Sequence, residues 1–181
     1  MKHMLRIIRM IIVTLLIKIF HPYGLNVHGF QDLNFDTELA IKNKGRISLG
    51  KRTTAFRRVT LVANGGNLKF GNFVFLNRNC IVIALHQITI GNSCIFGPGV
   101  TIYDHDHKFS YDGIIPGKYS TSPVIIEDNC WIGANATILR GTHIGEGCVI
   151  GAGTVVKGEI PPHSIVTSNR EMVIKPIKDK K

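Results

Sequence analysis

The sequence predicts an all-β fold, a left-handed parallel β-helix, with an amphipathic N-terminal helix and one long excursion loop. Two observations lead to this prediction. Aliphatic residues recur every six positions over long stretches of the chain, and all four cysteines occupy one position of that six-residue unit. A period of six fits neither a heptad nor a multiple of the α-helical turn, and it is typical of parallel β-helices. Three such units make one triangular coil.

The six-residue unit begins with an aliphatic or aromatic lead residue, which is often followed by glycine, as at Gly133, Gly145 and Gly151. We expect the lead residue to fill the interior of the coil and the glycine to relieve crowding near a corner. The lead residues are Phe70, Leu76, Val82, Ile90, Phe96, Ile102, Ile126, Ile132, Ile138, Ile144, Ile150 and Val156.

The cysteines test this pattern, because each stands four residues after a lead residue, at Cys80, Cys94, Cys130 and Cys148. Valine, alanine or threonine occupies the same place in other units, at Val74, Val100, Ala136, Thr142 and Thr154. We therefore expect the cysteines to be small buried hydrophobic residues and not disulfides or metal ligands. Without a C-x-x-C motif, this usage favours a reducing cytoplasm.

The length of 181 residues predicts one structural unit. We divide it into an amphipathic helix (1–22), irregular strands or coils (23–60), the β-helix (61–160) with its loop (103–123), and a basic tail (161–181). The formal net charge is +10, which calls for an acidic partner. Because zinc-finger spacing, aromatic RNA-binding signatures and basic recognition helices are missing from the sequence, we expect no nucleic-acid partner.

The N-terminal segment is apolar but carries Arg6, Arg9 and Lys18, so it is too short and too charged to span a membrane. At about 100° per residue its aliphatic residues share a broad face, namely Leu5, Ile8, Ile11, Ile12, Leu15 and Ile19. Two interpretations stay open: residues 1–20 lie on an anionic membrane, or they cover one end of the protein's own repeat stack. We accordingly expect a cytoplasmic protein that can reach the inner face of the membrane peripherally.

The repeat is interrupted between Ile102 and Ile126, where glycine and proline residues are expected to prevent regular structure. The interruption opens with two histidines and two aspartates, at Asp104, His105, Asp106 and His107. A neutral histidine can act as a general base. In an extended segment, His105 and His107 would share one face and the two aspartates the other, so a bend is needed for an aspartate to orient either ring.

Several segments resemble the hexapeptide-repeat O-acetyltransferases, which include galactoside, maltose and polysaccharide acetyltransferases. They are FLNRN at 75–79, IGNSCIFGPGVTIYDHDH from Ile90, PVIIEDNCWIGANATI at 123–138, IGAGTVV from Ile150 and IPPHSIV from Ile160. The resemblance covers roughly residues 60 to 178 and keeps the order of the family's motifs.

This resemblance implies that His105 is the catalytic base and that Asn77 contacts the acceptor, with Asp104 and His107 beside it. It implies acetyl-CoA as co-substrate, no metal, a carbohydrate acceptor, and a homotrimer with active sites between subunits. The implied cofactor-binding residues are Trp131 and Ala134 at the thioester, where the Ala134 N–H faces the developing oxyanion, and Ala152, Lys157 and Lys175 along the pantetheine and phosphates.

We therefore expect transfer of an acetyl group from acetyl-CoA to a saccharide hydroxyl in a ternary complex. One alternative is an N-acetyltransferase acting on an amino or nucleotide sugar. Another is a zinc hydratase similar to the γ-class carbonic anhydrases, with His105, His107 and either His86 or His143 as ligands. A third is an inactive β-helix scaffold held at a membrane surface by its N-terminal helix.

Overall fold

The computed structural model describes residues 2–20 and 23–168, and these ranges form one α-helix and 22 short strands. In chain order the elements are α1 (Lys2–Phe20), β1 (Leu25–Val27), β2 (Asp32–Leu33), β3 (Glu38–Lys42), β4 (Arg46–Leu49), β5 (Thr54–Ala55), β6 (Thr60–Asn64), β7 (Asn67–Phe70), β8 (Phe75–Leu76), β9 (Ile81–Ala84), β10 (Gln87–Ile90), β11 (Ile95–Phe96), β12 (Thr101–Tyr103), β13 (His105–Ser110), β14 (Gly113–Thr121), β15 (Val124–Ile126), β16 (Trp131–Ile132), β17 (Thr137–Ile138), β18 (His143–Ile144), β19 (Val149–Ile150), β20 (Val155–Val156), β21 (Glu159–Ile160) and β22 (Ile165–Val166).

Outside β13 and β14, successive strands enter three parallel sheets in strict rotation. Sheet A contains β1, β4, β7, β10, β15, β18 and β21; sheet B contains β2, β5, β8, β11, β16, β19 and β22; sheet C contains β3, β6, β9, β12, β17 and β20. Each coil therefore gives one strand to each face of a triangular prism, and its turns form the A/B, B/C and C/A edges. The β-helix predicted from the six-residue period is confirmed.

The interior of the prism is a ladder of the lead residues, each at most 2% exposed from Phe70 to Val156. Strand pairing is in register, so that Ile102 lies between Val82 and Ile138 on the neighbouring coils. The four cysteines are buried and free, as predicted, and the residues that share their repeat position are buried too. Stacking identical positions in this way lets each coil complete its core against the coils next to it.

Residues 23–60 contribute β1–β5 to the same three sheets, and Ile47 pairs with Leu68 on the next coil. The six-residue phase is hard to see there because the turn after β3 is longer. Asn43 and Lys44 both adopt positive φ, of 50° and 62°, and add residues at the C/A edge. The inserted corner shifts the phase of the apolar residues without ending the coil.

The excursion is an antiparallel hairpin of β13 and β14, so the expectation of irregular structure was wrong. His107 pairs with Tyr119 and Phe109 with Ile114, which leaves residues 115–118 opposite the single residue Lys108. Pro116 and Gly117 fall inside this bulge, where the ladder does not require their N–H groups. Glycine and proline interrupt the pairing locally but do not prevent the hairpin.

Helix α1 packs on the first coil through the side that carries Arg9, Val13, Thr14 and Ile17. Val13 and Thr14 are buried, the Thr14 hydroxyl accepts the Gln31 N–H at 2.9 Å, and Arg9 forms an ion pair with Asp32. The predicted aliphatic face points away from the coil, with Ile8, Ile11, Ile12, Leu15 and Ile19 between 37% and 68% exposed. The helix therefore does cover one end of the repeat stack, as one of the two interpretations has it, but through a side other than the predicted aliphatic face. Among residues 2–20 and 23–168, no helix has the length and apolarity to cross a bilayer.

Candidate functional site

His105 lies where the last sheet C strand before the excursion leaves the prism. The chain bends at Asp104, between β12 and β13, and this bend turns the Asp104 carboxylate toward the neighbouring ring. His105 Nδ1 is 3.1 Å from Asp104 Oδ1. Because an ionised carboxylate only accepts hydrogen bonds, Nδ1 carries the proton in this contact and Nε2 is left as the basic nitrogen.

Asp104 is fully buried, and its carboxylate is also held by main-chain N–H groups of the preceding coil. Leu85 N donates to Oδ1 at 2.9 Å, and His86 N donates to Oδ2 at 2.7 Å. We expected Asp104 to contact an acceptor, but the structure places it behind the His105 ring. The two N–H donors were missed because backbone groups of the β9–β10 corner carry no residue-type signal.

Two tyrosines enclose the His105 ring, which is only 14% exposed. Tyr103 and Tyr119 meet it edge to face, with ring centroids 5.9 Å and 5.6 Å away. His107 also packs against Tyr119, with ring centroids 4.8 Å apart, but is exposed. His105 is the more strongly oriented of the two rings, since aromatic packing and a buried carboxylate both restrict it.

The hairpin is attached to the coil that follows it as well as to the coil before it. Arg140 Nε donates to Asp106 Oδ2 at 2.5 Å, from the C/A edge after β17. Asp104 thus binds the preceding coil and Asp106 the following one. Arg140 was missed by the sequence reasoning because it lies 34 positions away in an otherwise ordinary repeat unit.

Asn77, Ala134 and Ala152 all lie on the B/C edge, where Ala134 and Ala152 share one position on adjacent coils and Asn77 lies one position earlier. Each coil donates a main-chain N–H to the carbonyl of the coil before it along this edge: Asn79 to Arg57 at 3.1 Å, Gly99 to Arg78 at 2.9 Å, Asn135 to Pro98 at 2.9 Å and Gly153 to Ala134 at 2.8 Å. Asn77 is half-buried, and its Oδ1 accepts the Arg78 N–H at 2.8 Å. Trp131, on β16 beside this edge, is 55% exposed.

Ala134 is half-buried, and the N–H groups of the residues on either side of it donate to neighbouring coils. Gly133 N donates to Ile150 O and Asn135 N to Pro98 O, whereas no such bond of the Ala134 N–H is found in the part of the chain that the structure describes. Gly97 lies directly against it, because a Cβ added there would be 2.6 Å from Ala134 N. The absence of a side chain at Gly97 leaves this N–H room.

The predicted site residues therefore fall on two different edges of one chain. His105 and the exposed Lys157 lie at the C/A edge, whereas Asn77, Ala134 and Ala152 lie at the B/C edge. Sheet C separates them by about four residues, or roughly 13 Å at about 3.3 Å per residue. Lys175 lies outside the described residues.

The side chains of His143 and Cys80 belong to the coils and not to the hairpin site. His143 sits on sheet A between Glu127 and Glu159, with both nitrogens 2.9 Å from a carboxylate oxygen, and the hydrogen bond to Glu127 raises its pKa. Burial raises the pKa of the Cys80 thiol to about 11, which disfavours a thiolate. Within residues 2–20 and 23–168, no three His, Cys, Asp or Glu side chains are grouped to hold a metal ion.

Comparison with known proteins agrees with this architecture. The family model described as "Hexapeptide repeat of succinyl-transferase" matches residues 123–157. A probable acetyltransferase of Mycobacterium tuberculosis is 32% identical over 160 residues, which are 87% of this chain and 49% of the relative. The galactoside O-acetyltransferase of Lactococcus lactis is 36% identical over 115 residues, 64% of this chain and 56% of the relative.

Among solved structures, a hexapeptide-repeat acetyltransferase of Vibrio cholerae in complex with acetyl coenzyme A is similar, with a TM-score of 0.56 and 25% identity. The match covers 87% of this chain and 73% of that one. The chain spans about half the length of the curated relatives it matches. Over residues 123–157 the chain is similar to the hexapeptide-repeat family, and the relatives quoted above are named acetyltransferases.

Proposed function

We propose that the protein transfers an acetyl group from acetyl-CoA to a hydroxyl of a saccharide, with His105 as the general base. The observation behind this proposal is the His105–Asp104 contact at the point where the hairpin leaves the coils. An oriented imidazole with a free Nε2 suits proton removal from an alcohol. The similarity to acetyltransferases, one of them solved with acetyl coenzyme A, supports this donor.

In this mechanism Nε2 of His105 takes the proton as the acceptor oxygen attacks the thioester carbonyl. The Asp104 carboxylate stabilises the resulting imidazolium, and the Ala134 N–H donates to the carbonyl oxygen as it becomes negative. When the carbon–sulfur bond breaks, the imidazolium returns its proton to the departing thiolate. Acetyl ester and free thiol are the products, and no covalent enzyme intermediate forms. We place Asn77 at the acceptor and Trp131, Ala152 and Lys157 along the coenzyme.

We also propose that the working unit is a homotrimer, in which the C/A edge of one subunit faces the B/C edge of the next. The separation of His105 from Ala134 within one chain supports this arrangement. So does an apolar stripe on the outer surface of sheet B, where neighbouring strands align in register. The stripe consists of Phe75, Ile95, Trp131, Val149 and Ile165.

The test is acetyl-CoA turnover, followed as thiol release, against a panel of neutral sugars, amino sugars, nucleotide sugars and oligosaccharides. His105→Ala should lower kcat by about 100-fold or more, while the matched variant His107→Ala should stay within a few-fold of wild type. Equal losses in the two variants, or a larger loss in His107→Ala, would move the base to His107.

Product chemistry separates O-transfer from N-transfer, because mild alkali cleaves an acetyl ester and leaves an amide intact. Products that all resist alkali would replace the hydroxyl acceptor with an amine. Zinc in the purified protein, together with CO₂ hydration that a chelator abolishes, would favour the hydratase alternative instead. Absence of acetyl-CoA binding in calorimetry would contradict the acyltransferase proposal itself.

A further inference from the structure

One face of α1 is an exposed stripe of aliphatic side chains, which we call the outward face. Neighbours on this face recur at three- and four-residue spacing, as on any single side of a helix. Leu15 is 57% exposed and Ile19 is 68% exposed, although α1 packs on the core of the prism through its other side. The outward face consists of Met4, Ile8, Ile11, Ile12, Leu15 and Ile19.

The rotation of α1 about its axis is determined by polar contacts on the opposite side. Arg9 pairs with the buried Asp32, and the Thr14 hydroxyl accepts the Gln31 N–H at 2.9 Å. Rolling the helix to bury the outward face would break both contacts and expose Val13. The outward face is therefore presented to the surroundings by the way the helix is attached, and such a large apolar patch indicates a binding surface.

The charge of the chain is concentrated at this same end of the prism. Residues 1–90 contain 13 Lys and Arg against 3 Asp and Glu, whereas residues 91–181 contain 9 of each. The whole net charge of +10 thus belongs to α1 and the first coils. Beside the helix, Lys51 and Arg52 line a groove that also includes Phe30 and, at its rim, Ile11 of the outward face. Lys18 is exposed on α1 itself.

We infer that α1 lies flat in the headgroup region of an anionic lipid bilayer, with the outward face inserted toward the acyl chains. The cations of the first coils then face the lipid phosphates. A second copy of this chain is a poorer occupant, because pairing two N-terminal ends would bring together two surfaces of the same charge. This inference does not depend on the proposed acetyl transfer.

The test is co-sedimentation of the full chain with vesicles of phosphatidylcholine alone and of phosphatidylcholine with roughly one third phosphatidylglycerol. Binding should be strong only with the anionic lipid and should weaken when salt is raised from about 0.1 M to about 0.5 M, because screening shortens the reach of the charges. Leu15→Ser combined with Ile19→Ser should reduce the fraction bound at least about tenfold.

The matched control is Phe109→Ser combined with Ile114→Ser, which removes two equally exposed apolar side chains from the hairpin. It should bind vesicles like wild type, and both variants should keep the wild-type circular dichroism spectrum and Tm. Undiminished binding by the α1 variant, or no binding of wild type to anionic vesicles, would overturn the inference. A lower molar mass of the α1 variant in light scattering would overturn it as well, since the outward face would then be a contact between copies.

Discussion

Nδ1 of His105 lies 3.1 Å from a carboxylate oxygen of Asp104, the residue that precedes it in the chain. Adjacent residues in an extended strand point to opposite faces, so this contact depends on the bend between β12 and β13. The carboxylate is buried and receives two further N–H groups from the preceding coil. The side chain of Asp104 therefore joins the start of the hairpin, where the repeat is interrupted, to the coil before it.

Asp104→Asn should lower both activity and stability. The amide offers one oxygen where three N–H groups now converge, and its NH₂ would face a donor, which costs about 1–3 kcal/mol. We expect kcat to fall about tenfold or more, with the KM for acetyl-CoA unchanged, and Tm to fall by several degrees. Asp106→Asn is the control: its partner Arg140 is nearer solvent, so the loss of Tm should be smaller. A variant with wild-type kcat would remove Asp104 from the positioning of His105.

Mixing two inactive variants tests whether the active site is shared between subunits. In trimers assembled from His105→Ala and Asn77→Ala chains, about a quarter of the sites would combine an intact His105 with an intact Asn77. Co-expression should therefore restore a substantial part of the wild-type activity, measured on the purified mixed trimers. If each site were contained in one chain, every site would lack one residue and the mixture would stay as inactive as its parents.

Gly97→Ala should disturb the Ala134 main chain, because its Cβ would lie 2.6 Å from Ala134 N and 2.9 Å from Ala134 Cα. Main-chain atoms cannot yield as a flexible side chain does, and overpacking of this kind costs about 1–3 kcal/mol. Tm should fall, and kcat should fall further than in a variant of equal Tm elsewhere in the coils. Urea denaturation with parallel turnover assays measures both effects, and an unchanged kcat would argue against the Ala134 N–H as the oxyanion donor.

The contact of His143 with Glu127 predicts a stability that depends on pH. The pKa of His143 is raised from 6.5 and that of Glu127 is lowered from 4.5, each chiefly by the hydrogen bond between them. A raised histidine pKa stabilises the fold below pH 6.5 and ceases to do so as pH rises through the folded value. A lowered glutamate pKa stabilises it above pH 4.5 and ceases to do so as pH falls through the folded value.

Wild-type Tm should accordingly decline as pH rises above 6.5 and through the raised pKa of His143, and His143→Gln should remove that part of the decline. Both side chains are more than a third exposed, so the effect should be modest and should shrink in high salt. Differential scanning calorimetry at stepped pH values provides the comparison. Parallel Tm curves for the two proteins would mean that the pair does not contribute.

The coils were predictable because packing inside the prism restricts which residue types can occupy each position of the repeat. Every turn of the prism repeats the same small interior, so an aliphatic lead residue and a small fifth residue recur, and Cys80 or Cys148 can be recognised as core from position alone. The corner at Asn43 and Lys44 conceals the first coil for a related reason. It lengthens the turn without changing the interior, so a search for a constant period loses the phase there.

The site and the helix were harder to predict because they depend on contacts between distant parts of the chain. Because neighbouring residues of a strand point to opposite faces, the sequence pattern predicted that the His105 and Asp104 side chains lie apart. The bend that brings them together is explained by the backbone N–H groups of Leu85 and His86, which hold the Asp104 carboxylate. Amphipathicity located the apolar face of α1 but not its direction. One ion pair, Arg9 with Asp32, together with Thr14 turned that face away from the core.

Because the coils stack at a constant spacing, their number sets the distance between α1 and His105. For a prism whose axis is perpendicular to a bilayer surface at α1, three inter-coil spacings of about 4.8 Å separate the first coil from the one that ends at His105. Adding about 10 Å for the thickness of the helix sets His105 at a height of about 25 Å. A saccharide acceptor would then meet His105 about 25 Å from the lipid surface.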